Sequence, residues 1–103
     1  MTTFKHSPSP WFENSECVNS IDIVSGDKAI AMVITDADEI EETDKANARL
    51  IASAPRLLAA LKRSAEGWSN AIELGLIPPQ HILAASILRD EAHKAVADAE
   101  GAQ

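Results

Sequence analysis

The side chains able to do chemistry in this chain are few and scattered. His6, His81, His93 and Cys17 are the soft metal-ligand candidates, but none stands in a C-x-x-C or H-x-x-x-H pair. Such spacing is what lets two ligands from one element reach one ion. Asp36 and Asp38 fit the first two positions of a calcium loop, yet Ile40 takes the third and Glu41 stands where the sharp turn needs glycine. Cys17 lacks a local signature of an activated thiol, and no G-x-S-x-G, G-x-G-x-x-G or Walker pattern occurs. No catalytic residue, metal site or cofactor is therefore assigned, and an enzyme is not expected.

Binding chemistry has better candidates. Trp11 follows two prolines and offers a large apolar surface with one donor, as a recognition anchor does; its structural alternative is to cap a small core. Asn47 and Arg49 lie near a helix start, and with Arg56 they suit a carboxylate or phosphate; the alternative is a tie between the helix and the sheet or arm. Asp36, Asp38, Glu39, Glu41, Glu42 and Asp44 put six acids into nine positions. They read as a solvated connection whose last members favour the positive end of the following helix.

The elements that must position these residues follow from pattern. Residues 1–10 carry alternating serines and prolines and form an extended arm. Trp11 and Phe12 open a short edge strand. Val18–Val24 and Ala29–Thr35 are rich in β-branched residues and flank Ser25–Lys28, which predicts a β-hairpin. On its second strand Ile30, Met32 and Ile34 make the bulkier face, expected to meet helix. The small sheet thus spans 11–35 and the acidic loop 36–44.

From Ala46 a stripe recurs at helical spacing through Leu50, Ala54, Leu57, Leu61, Ala65, Trp68 and Ile72. A straight helix from Asp44 to Leu74 would be about 46 Å long, too long for a compact domain of this size. Pro55 supplies no amide to the carbonyl of Ile51, so a break near Ser53–Pro55 is predicted within a helical region spanning 45–75. Gly75 and Pro78-Pro79 separate it from a last helix over 79–99. The apolar face there is expected to hold Ile82, Leu83, Ile87, Leu88, Ala92, Ala95, Val96 and Ala99. The fold class is α+β: an N-terminal antiparallel sheet of hairpin and edge strand, packed on a proline-broken helix and followed by a C-terminal helix, in one domain over 1–103.

Hydrophobic residues at 46% and charged residues at 24% describe a folding chain, and a formal charge of −7 opposes general nucleic-acid or anionic-membrane binding. No apolar run reaches the ~18 residues of a membrane span, and no charged segment followed by an apolar one opens the chain. A cytoplasmic protein is expected.

The opening His6-Ser-Pro-Ser-Pro-Trp11, the hairpin, and the stretch from Asn47 to Leu61, NARLIASAPRLLAAL, resemble small bacteriophage and prophage proteins. Those show an H-T-P-G-P-W-like start and an N-A-R-L-I-A-A-A-P-x-L-L helix motif; Ser9 here replaces the usual glycine, and about the first sixty residues are covered. The resemblance implies a phage accessory protein acting inside a host bacterium. It is similar in kind to inhibitors of host defence such as anti-CRISPR proteins. The expectation is a non-enzymatic inhibitor that binds a basic surface of a host protein. The alternatives are sequestration of a small signalling nucleotide by Trp11, Asn47, Arg49 and Arg56, or a structural homo-oligomer. A homodimer through the helices is expected.

Overall fold

The computed structural model describes residues 6–101. Three antiparallel strands, β1 (Phe12–Asn14), β2 (Ser20–Ser25) and β3 (Lys28–Ile34), precede three helices: α1 (Glu42–Ala52), α2 (Ala54–Glu73) and α3 (Ile82–Ala99). This is the α+β arrangement expected from the pattern. The chain divides into two compact units, one ending at Arg56 and the other beginning at Leu57.

In the first unit the strands lie in the order β1-β2-β3. Ser25 pairs with Lys28 across a two-residue turn in which Gly26 has φ 63°. A primed hairpin turn needs that left-handed angle at its first central position, and glycine reaches it without a Cβ clash. β1 pairs through Phe12↔Val24, Glu13↔Ile23 and Asn14↔Asp22. The described part of the arm is fastened here: the Ser25 hydroxyl donates to the Pro8 carbonyl at 2.6 Å. Residues 1–5 of the expected arm lie outside the described residues.

The core consists of Ile21, Ile23 and Ala48, ringed by Trp11, Ala31, Val33, Ile40, Ile51 and Ala52. This corrects the expected face of β3. Ile21 pairs with Val33 and Ile23 with Ala31, while Val24 pairs with Ala29, so Ile30 is an extra residue in a bulge. Beyond the bulge it is Ala31 and Val33 that share the buried face, and Met32 and Ile34 are 56% and 68% exposed. The two β2 isoleucines fill the core, and small partners on β3 leave room for α1.

α1 is likewise rotated from its expected stripe. Ala48 and Pro55 are buried and Ile51 and Ala52 half-buried, whereas Ala46, Leu50 and Ala54 are exposed. The helix presents its small side chains where it approaches β2. It also starts earlier than the acidic run suggests, at Glu42, because Asp44 turns back to accept the Glu41 amide at 2.9 Å and caps the first turn.

The expected break is present and one residue long. The Ser53 amide donates to the carbonyls of Arg49 and Ile51, the second of which Pro55 leaves without a donor.

In the second unit, α2 ends with the Leu76 amide on the Ala71 carbonyl (2.9 Å) and the Gly75 amide on that of Ile72 (3.2 Å). With Gly75 at φ 71°, this is a Schellman stop. Pro79–His81 form a single 3-10 turn before α3. A Lys62–Glu100 ion pair and a Ser69–His93 contact at 3.1 Å link α2 to α3. The buried apolar residues here are Ala65, Ala85 and Ala92. Of the face expected on α3, Ile82 and Val96 are half-buried and Ala92 buried, while Leu83, Ile87 and Leu88 face outward. Alanine at the closest positions draws the helices together and leaves the larger residues on the flanks.

Candidate functional site

Two charged sites lie at opposite ends of α1. At its C-terminal end is a cleft of about 390 Å³. Arg49, Ala52, Ser53 and Arg56 form one wall, at offsets of three, four and seven residues that share a helix face. The facing wall comes from Ser9, Pro10, Trp11, Phe12 and Glu13. The antiparallel pairing of β1 sets this wall: Glu13 pairs directly with the buried Ile23 and so points to the same side of the sheet as α1.

Trp11 serves both readings made of it. Its ring packs on the core and meets His6 edge-on at 6.2 Å. Its indole N–H donates to the Ser7 carbonyl at 3.1 Å. The ring is therefore a fixed wall of the cleft, with its donor already used.

Ion pairs elsewhere occupy Lys45, Lys62, Arg89 and Lys94. Arg49 and Arg56 form none with a carboxylate among the described residues, although Glu13 lines the same cleft. Three of the residues singled out by type, Trp11, Arg49 and Arg56, are thus brought together. Asn47 is not among the lining residues: it is exposed on α1, and a two-residue offset from Arg49 points it to another side. Sequence reasoning missed Glu13, Ser53, Pro10 and Phe12. Ser53 and Phe12 were read only as backbone features, and adjacency to Trp11 was the sole signal for Pro10 and Glu13.

At the other end of α1, Asp36, Asp38 and Glu39 are exposed. The connection that carries them is pinned at three points. The Thr35 amide donates to the Asn19 carbonyl (3.2 Å), the Ala37 amide to Thr35 Oγ1 (3.1 Å), and the Ile40 amide to the Val18 carbonyl (3.0 Å). Glu41, Glu42 and Asp44 belong to the helix start, where Glu42 also pairs with Lys45 at 3.3 Å.

Cys17 is exposed, and among the described residues no three His, Cys, Asp or Glu side chains converge as a metal site requires. Nor is any helix among them long and apolar enough to cross a membrane.

Neither the curated proteins nor the solved structures contain a match to this chain. A family model does match, over residues 1–103, and so extends through the C-terminal helix that the motif resemblance leaves uncovered. The chain belongs to the family of the Salmonella phage P22 protein Y8K6, and is a small phage protein.

Proposed function

We propose that this phage accessory protein is a non-enzymatic inhibitor of a bacterial defence complex, anti-CRISPR-like in mode, working in the cytoplasm of the host. It binds a basic surface of a host protein through the connection between β3 and α1. The observation that carries this reading is that Asp36, Asp38 and Glu39 are exposed and free of ion pairs among the described residues, on a connection held by three hydrogen bonds. Charges already fixed in place lose little entropy on docking, and the net charge of −7 steers a basic partner toward them.

Pull-down from host lysate across rising salt tests it. A specific partner should be captured at low ionic strength and released as salt rises. Capture should fail for the Asp36→Asn, Asp38→Asn, Glu39→Gln triple variant. If no partner is retained at any ionic strength, the proposal is wrong.

A second reading, pairing of two copies through the helices, is favoured by Leu83, Ile87 and Leu88, which are 75%, 49% and 46% exposed on α3. Burying such side chains is worth ~1.5–3 kcal/mol each, so a second copy would gain by covering them. Light scattering at high micromolar concentration should give the mass of a dimer; a monomer there refutes the pairing.

A further inference from the structure

We propose that the cleft at the C-terminal end of α1 binds a small organic phosphate carried on a flat ring, of the size of a nucleoside monophosphate. This is a ligand site separate from the acidic connection and does not depend on it.

Four observations lead there. First, the cleft concentrates positive charge in a chain of net charge −7: Arg49 and Arg56 are exposed, line it together, and form no ion pair among the described residues. Two planar guanidinium forks match the several oxygens of a phosphate, whereas a lone carboxylate is satisfied by one. Second, helix stability does not account for both. Arg49 is in the last turn of α1, where a cation is favoured, but Arg56 is in the first turn of α2, where it is not and where no acid accompanies it.

Third, the opposite wall is apolar and fixed. Pro10, Trp11 and Phe12 line it, and because the Ser7 carbonyl holds the indole N–H, Trp11 has ring surface left to offer. A flat ring stacks on such a surface without needing a particular hydrogen-bond pattern. Fourth, a volume of about 390 Å³ suits a small molecule. A polynucleotide would bring its whole backbone against the acidic chain. Glu13 leaves the cleft only one net positive charge, which suits a monophosphate better than a polyphosphate.

Fluorescence titration tests the site. The chain has two tryptophans, so the Trp68→Phe variant reports on Trp11 alone. Adenosine or cytidine monophosphate should change the emission saturably below millimolar concentration. Inorganic phosphate, adenosine and benzoate should each bind at least about tenfold more weakly, the loss expected when one ~1.4 kcal/mol contact is removed. Arg49→Gln with Arg56→Gln should weaken binding by about tenfold or more, with the circular dichroism spectrum unchanged, because both residues are exposed. Glu13→Gln should tighten it severalfold, which a purely structural role for Glu13 would not produce.

Calorimetry on the unaltered chain repeats the measurement without any substitution. No saturable signal and no heat with either nucleotide overturns the site. Equal binding of inorganic phosphate overturns the role of the ring wall. Equal binding of adenosine, or no effect of the arginine pair, overturns the role of the guanidiniums. Equal binding of benzoate reassigns the cleft to carboxylates and overturns the phosphate proposal.

Discussion

α1 carries acids toward its N-terminal end and arginines toward its C-terminal end, and the two groups are not equally explained by the helix itself. Glu41, Glu42 and Asp44 occupy the cap and first turn, and Arg49 occupies the last, where the macrodipole favours each sign. Asp36, Asp38 and Glu39 precede the helix, and Arg56 follows its end. Folding accounts for the first set. The second set is left over, and the two proposed binding surfaces rest on it.

The largest expected effect comes from the core beneath both ends. Ile23 is fully buried under α1, so Ile23→Ala should cost about 2–5 kcal/mol in a denaturant titration and weaken both surfaces together. If one surface keeps its function in a destabilised chain, the two do not share the support described here. Gly26→Ala should cost about 1–2 kcal/mol, because its φ of 63° strains any side chain although space is free. This loss should appear in the same titration without altering which partner or ligand is bound.

A smaller effect separates folding charge from binding charge. Asp44→Ala removes the acceptor for the Glu41 amide and should lower stability by about 1 kcal/mol. Asp38→Asn should leave the melting temperature unmoved while reducing partner capture. The smallest effect concerns the arginines: Arg49→Gln should lower stability by about 0.3 kcal/mol at low salt, and Arg56→Gln should leave it level or slightly raised. Equal losses from both would mean that Arg56 has a structural role after all.

Much of this arrangement was legible in the sequence. β-Branched runs on either side of Ser25–Lys28 were enough to place the hairpin, and the missing amide of Pro55 placed the helix break within two residues of where it occurs. Trp11, Arg49 and Arg56 were recognisable by type. Their convergence was not, because it depends on β1 pairing with β2 and on the side from which α1 covers the sheet.

Two other misreadings have local causes. Strict alternation along β3 fails at the Ile30 bulge, which one strand read alone does not reveal. The helical stripe was followed through the larger leucines, whereas close packing selected Ala48, Ile51, Ala52 and Pro55. Apolar periodicity gives the period of a helix more securely than its phase when many of the candidates are alanine.

The break at Ser53 contains a single residue, which makes the chain intolerant of length changes there. A helix advances about 100° per residue. Inserting or deleting one residue between Ala52 and Pro55 would therefore swing Arg56 away from Arg49, although every side chain of the cleft would still be present. Substitutions along α1 can be absorbed one at a time, while an insertion at this joint alters everything that follows. Within the family, length between Arg49 and Arg56 should vary less than the identity of the residues between them.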